Sequence, residues 1–377
     1  MIFMVCEWYN GHGQLGGKWM SLWKTTIASH YKEDMVLLDY PFLRLWLGTV
    51  IGLAVVLPLF TSNYFIHLVN LGALATLGAL GLNLVTGYTG LVSLGTGGFL
   101  CAGAFIAVIL TKELGTTLWI NLIAASAIGG ILGLIAGLPA LRLKGVYLLL
   151  STLAMHFIIV YFCGRYQILK GNIGGIPLAD PDIGWGILIN TTLKWYYFLM
   201  ILLVVITIFC LNLERTHIGR AWIALRDRDV VANILGVHIG YYKLLSFTFS
   251  SALISIAGCL GAYYTHFVAY EEFNIWKSVT YLAMIIVGGV ASIAGSYFGA
   301  FTILFIPYFL HWVVEMLHLP MRMELYFSGI EQAVFGFIMI LFLLIEPKGM
   351  IGIWKLKVRP YFELWPFRYR RAISTRR

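Results

Sequence analysis

The sequence predicts an all-α polytopic membrane protein of about ten transmembrane helices, with a cytosolic helix between spans six and seven. Three observations carry this. Of 377 residues, 60% are hydrophobic and only 11% are charged, where soluble domains carry roughly 25% charged residues. The apolar runs reach about twenty residues without alternation, which suits bilayer-crossing helices and not barrel strands. A single long block dense in charge of both signs separates two of these runs, at residues 214–243: ERTHIGRAWIALRDRDVVANILGVHIGYYK.

Residues 1–41 are mixed and polar, with neither a long apolar core nor a cleavage-site pattern, and read as a cytosolic N-terminal extension. Residues 42–347 form the transmembrane domain. Its apolar runs are 45–60, 64–86, 97–111, 118–138, 146–163, 195–213, 244–268, 279–294, 298–314 and 326–345. The third and eighth are short for a bilayer, so broken helices, or helices running on into the flanking glycine-rich turns, are expected. Residues 348–377 form a basic C-terminal tail.

An even number of spans places both termini and the 214–243 loop on one side. That side, with the turn at Arg142 and Lys144, then carries 20 of the 26 Lys and Arg residues. The other side holds only Lys112, Arg165, Lys170, Lys194, Lys277 and Arg322. The positive-inside rule makes the richer side cytosolic. The net charge of +9 therefore reflects orientation and not nucleic-acid binding. Five scattered cysteines form no metal or disulfide pattern and read as small buried residues.

Small residues mark close helix approach. Gly129, Gly133 and Gly137 form a double GxxxG ridge, and Ala291, Gly295 and Gly299 repeat that spacing. Packing within the subunit is the expected use, with a dimer interface as the alternative. GYTGLVSLGTGG (87–98) and GGVASIAGSYFG (288–299) are each followed by a Gly-Ala-Phe triplet, as a parallel internal repeat would produce.

Within the 214–243 loop, Ala221, Leu225, Val231 or Ala232, and Leu235 recur at helical spacing, with Arg226, Asp227, Arg228 and Asp229 on the other side. Gly219 just before this run and Gly236 just after it suit a helix with marked ends. Such a helix should dock on a soluble partner; the alternative is a solvated connection.

Several chemistries are missing. No acidic residue sits near the middle of a span, and His67, His156 and His311 are isolated, which argues against ion-coupled transport and reads the histidines as structural. There is no channel filter sequence. Gly16-Gly17-Lys18 lacks the spacing of a Walker A loop, so no nucleotide chemistry and no cofactor is expected of this chain. A driven process would need an ATPase on another chain, and the charged 214–243 helix is the expected contact. Neutral polar residues that could line a path are Asn70, Thr76, Asn83, Thr86, Ser93 and Thr96, with Ser250, Ser251 and Ser255 as a second cluster. Interhelical hydrogen bonding is their other reading.

These residues resemble a known family, the permease subunits of branched-chain amino-acid ABC importers of the LivM type. Leu82-Asn83-Leu84-Val85, Gly87, Gly90, Ser93, Gly95, Phe99 and Gly103-Ala104-Phe105 are similar to its glycine-rich early motif. Arg142-Leu143-Lys144-Gly145, Tyr147 and Thr152-Leu153 resemble the segment opening its fifth span. Gly219-Arg220-Ala221-Trp222, Ala224-Leu225-Arg226-Asp227, Ala232 and Leu235-Gly236 are similar to its cytosolic coupling motif. Gly288-Gly289, Ser292, Gly295, Gly299-Ala300, Pro347, Gly349 and Gly352 match later signatures. The resemblance departs at 170–176, where Lys-Gly-Asn-Ile-Gly-Gly-Ile replaces Thr-Gly-Gly-x-x-Gly, and in the two terminal extensions.

The resemblance implies a non-catalytic permease of the bacterial inner membrane, working with a second homologous permease, two ATP-binding subunits and a periplasmic solute-binding protein. It implies that Gly219, Arg220, Ala221, Leu225, Arg226, Asp227 and Gly236 form or flank the coupling helix between spans six and seven. Urea or short amides are alternative solutes. An autonomous channel or facilitator for a small neutral solute is the alternative from a different class.

Overall fold

The computed structural model describes residues 57–58, 60–143, 145–171, 174–182 and 189–316, with 333–334, 336–337, 340 and 349–353 beyond them. The 1–41 extension, nearly all of the first and tenth apolar runs, and the 354–377 part of the tail lie outside these residues. The chain divides into two units at Ser62, and the helical bundle belongs to the second, Asn63–Arg377.

Long apolar stretches with no water to satisfy their amides must close their hydrogen bonds internally, and helices do this. Helix α1 (Asn63–Asn83) runs on through a π-helical turn, Leu84–Tyr88. Then come α2 (Thr96–Leu114), α3 (Leu118–Gly137), a 3-10 turn (Pro139–Leu141) and α4 (Val146–Leu169). After β1 (Ile176–Pro177) follow α5 (Thr192–Arg215), the short α6 (His217–Asp227) and α7 (Asp229–Ile234), and the long α8 (Ile239–Thr265). Next are β2 (Phe267–Val268), a 3-10 turn (Tyr270–Glu272), α9 (Ile275–Gly288), α10 (Ile293–Met316) and α11 (Gly349–Ile353).

Among the described residues six helices are long and apolar enough to cross a membrane, with α9 and the apolar part of α10 as shorter companions. The third expected run, 97–111, was short only because its flanks are less apolar: α2 extends over Thr96–Leu114. The eighth run stops early. Helix α9 ends at Gly288, because residues 289–292 turn the chain into α10.

Helix α1 is the axis of the bundle. In it 89% of the membrane-length window is buried, against 22% in α4 and 33% in α5. Helix α1 packs against α8, α5, α10 and α9, while α8 also lies along α2 and α3. The peripheral helices turn Leu150, Phe157, Tyr161, Ile201, Val205 and Ile208 outward, as surfaces facing hydrocarbon or another apolar partner require.

The glycine ridge works inside the subunit. A Cβ on Gly129 or Gly133 would overlap the side chains of Ser255 or Ser251, and one on Gly137 would press on Phe247, all on α8. At one end of the bundle β1 and β2 pair antiparallel, Ile176 opposite Val268 and Pro177 opposite Phe267. At the same end the Lys170 ammonium pairs with Glu113, whose carboxylate holds it above its ordinary pKa. The opposite end carries α6, α7, the 289–292 turn and the first residues of the glycine-rich stretch 87–98, where Gly90 meets Arg226.

Candidate functional site

Two regions collect the residues that chemistry singles out, one at the α6–α7 end and one inside the bundle.

Thr216 is extended and starts α6, which has a buried face of Gly219, Ala221, Trp222 and Leu225. Trp222 is fully buried; its indole Nε1 donates to Tyr242 O at 2.9 Å and its ring meets Phe249 edge-on. These contacts hold α6 against α8. The expected single helix is broken: Arg228 is extended (φ −156, ψ 101), so α6 and α7 are separate short helices. Gly219 lies within α6 and does not mark its start. A Cβ there would overlap the backbone of Glu214, so this glycine is required by packing. Gly236, in contrast, follows the end of α7 with φ +87, and Val237 N bonds back to Ala232 O at 3.0 Å. That is the left-handed terminator that glycine permits.

The α6–α7 surface mixes charge with exposed apolar side chains. Arg220, Arg226, Asp227 and Arg228 are exposed, and Val230, Val231, Ile234 and Leu235 of the α7 segment face outward. Ala224, Asp227, Arg228, Val231, Ala232 and Leu235 line a shallow groove of about 300 Å³ between the two short helices.

Helix α6 is also tied to α1. Arg226 Nη1 donates to Gly87 O at 3.1 Å, while Tyr88 Oη donates at 3.0 Å to Glu214 Oε2 near the end of α5. Gly90 has φ +70 and lies so close to Arg226 Cγ that a Cβ would stand 2.9 Å from it. Asn83 ties the same end of α1 to the α9–α10 turn. Its Nδ2 donates to Ser292 O and Ser296 Oγ, and its Oδ1 accepts from Ala291 N, each at 3.0 Å. Asn83→Leu is therefore expected to lower the detergent unfolding midpoint of the protein. Removing one buried partner strands groups worth about 1–3 kcal/mol each.

The sequence-derived path residues separate. Asn70 is at the far end of α1, donating to Thr192 O at 3.0 Å and toward Tyr264 Oη, with Oδ1 unpartnered among the described residues. Asn83 and Thr86 are at the α6 end, where the Thr86 hydroxyl donates to Leu91 O. Ser93 and Thr96 lie on or beside the irregular stretch 89–95 that leads into α2. Thr152, His156 and Ser278 join them there; the sequence offered His156 only as an isolated structural histidine and Thr152 only within the family resemblance, and Ser278 was passed over. Leu94 N donates to Thr152 Oγ1 at 3.0 Å and Gly97 N to Ser278 Oγ at 2.9 Å, with His156 Nδ1 3.5 Å from Ser278 Oγ. The pair Gly97-Gly98 was the available signal: a Cβ on either would press on His156 at 2.8 Å.

A helical bundle with several membrane-length helices, and a charged helix pair at one end tied to its central helix, defines a multi-pass membrane protein. The family model described as branched-chain amino acid transport system / permease component matches residues 64–343, and the chain belongs to this family. It is 31% identical over 272 residues to the high-affinity branched-chain amino acid transport system permease protein LivM of Escherichia coli, and 30% identical over 272 residues to that of Salmonella typhimurium. Each match covers 66% of this chain and 64% of the relative's length. The autoinducer 2 import system permease protein LsrC of an Enterobacter species is 26% identical over 219 residues, 56% of this chain and 60% of that protein. No solved structure matches.

Proposed function

We propose that this chain is the transmembrane permease subunit of an ABC importer for branched-chain amino acids. It would work beside a second, homologous permease and be fed by a periplasmic binding protein. Two separate ATP-binding subunits would supply the energy by docking on α6 and α7. The observation that carries the reading is the family match across 64–343, which includes both α6 and α7. The pairing of exposed charge and exposed apolar side chains on these helices supports the docking role, since interfaces combine an apolar centre with a polar rim. Gly219, Ala221 and Leu225 build the buried side of this element, Arg220, Arg226 and Asp227 its outer side, and Gly236 its end.

In proteoliposomes holding all four kinds of subunit, leucine uptake should require ATP and the binding protein. Uphill accumulation by this chain alone would sink the proposal, and so would equal downhill flux with the ATPases left out. The likeness to LsrC favours a second reading, in which the same machinery carries another small polar solute; leucine and autoinducer 2 offered in parallel separate the two.

The excess of Lys and Arg at the α6–α7 end supports a cytosolic position for that end and for both termini. A reporter fused after Arg377 is expected to be active only as a cytosolic fusion. Activity of a periplasm-dependent reporter at that point would reverse the orientation.

A further inference from the structure

Helix α2 does not begin at the end of the bundle. Its first turn packs against His156, ten residues into α4, about 15 Å along a helix long enough to cross a membrane. Its next residues meet α8 well inside: Ser255 Oγ donates to Phe99 O at 3.0 Å, and Gly258 is packed on the Leu100 backbone. The stretch 89–95 is thus non-helical backbone within the bundle. At membrane depth such backbone persists where it is buried in protein or lines a path, and a helix that starts there aims its unsatisfied amides and positive dipole end inward.

The groups around that start are neutral donors and acceptors. Gly97 N is capped by Ser278 Oγ, a hydroxyl from another helix, at 2.9 Å. Gly95, the residue before the helix, provides no side-chain cap. Thr96 opens the helix at 1% exposure, and its Oγ1 has no hydrogen-bond partner among the described residues. Leaving a buried hydroxyl unpaired is costly, so its retention calls for an occupant beyond the described residues. His156, also 1% exposed, closes the other side.

We infer that the first turn of α2, with Thr96 and Ser278, is a carboxylate subsite for the transported amino acid. The Ser278 hydroxyl holds the Gly97 amide while the site is empty and yields it to the incoming carboxylate, and Thr96 Oγ1 donates a second hydrogen bond. A positive helix end and uncharged side chains recognise an anionic group without burying a full counter-charge, which hydrocarbon surroundings would penalise. This rests on the amino-acid reading proposed above.

The test is binding of radiolabelled leucine to the purified permease–ATPase complex without binding protein, with leucinamide as the competitor that lacks the carboxylate. Wild type should bind leucine and ignore leucinamide. Thr96→Val should weaken leucine binding about tenfold or more, as loss of a hydrogen bond to a charged group implies, with an unchanged or higher unfolding midpoint because an unpaired hydroxyl is removed. Thr96→Ser should restore binding. Wild-type affinity in Thr96→Val, or equal competition by leucinamide, overturns the subsite and leaves the importer reading standing. A wild-type complex that carries an uncharged solute, and neither binds nor transports leucine, overturns both.

Discussion

Gly103→Val is expected to prevent accumulation of the folded protein in the membrane, whereas Gly261→Ala, on the partner helix, should be neutral or mildly stabilising. Helices α2 and α8 cross backbone to backbone. A Cβ on Gly103 would overlap the Ser255 carbonyl and Cα, and the reciprocal position, Gly258, lies on the backbone of Leu100. No rotamer change relieves a collision with main chain, so the helices must separate. Overpacking costs about 1–3 kcal/mol where side chains can give way; here the cost falls at or above that range and takes the Ser255–Phe99 hydrogen bond with it. Gly261 has open space within 4 Å and a helical position. Alanine there gains roughly 0.5–1 kcal/mol of helix propensity. Fluorescence-detected gel filtration after a temperature series reads both. A Gly103→Val protein that elutes as wild type would mean that α2 and α8 do not meet as described.

The sequence disclosed what repeats locally and hid what depends on distant partners. Apolar runs and helix periodicity placed α1, α3, α4, α5 and α8 within a few residues, because span length and backbone satisfaction are properties of one segment. The Gly129–Gly133–Gly137 ridge was legible for the same reason, and its use within the subunit matches its contact with Ser251 and Ser255. The break at Arg228 was not legible, since apolar spacing continues across it. Gly219 misled because a glycine that fits against a neighbouring backbone reads in sequence like one that ends a helix. His156 looked isolated: its partner Ser278 lies 122 residues away. The two polar sets assigned together, Asn70 with Ser93 and Thr96, occupy different levels of the bundle, because composition does not encode depth.

The double variant Arg226→Ala/Asp227→Ala should insert and fold, yet lose more than about nine-tenths of ATP-driven uptake and most co-purifying ATPase. The two residues contribute differently. Asp227 is 67% exposed, and its 3.8 Å contact with Arg226 Nε is long, so that ion pair adds little to stability; its carboxylate is free to meet a cation of the proposed ATPase. Arg226, on the same outer side, also donates to Gly87 O of the π-helical turn. A charge-assisted bond of this kind contributes about 1.5–3 kcal/mol when buried, and less here because the side chain is 39% exposed. Removing it should loosen the link between α6 and α1 without unfolding the bundle, since Trp222 still anchors α6 to α8. The single variants should therefore part company. Asp227→Ala should reduce ATPase recovery and uptake together. Arg226→Ala should retain more ATPase than transport, because force applied at α6 no longer reaches the end of α1, and Arg226→Lys should recover only part, since one ammonium does not reproduce the guanidinium fork. Normal uptake and normal ATPase recovery in the double variant would remove α6 from the coupling route and return residues 214–243 to a solvated connection.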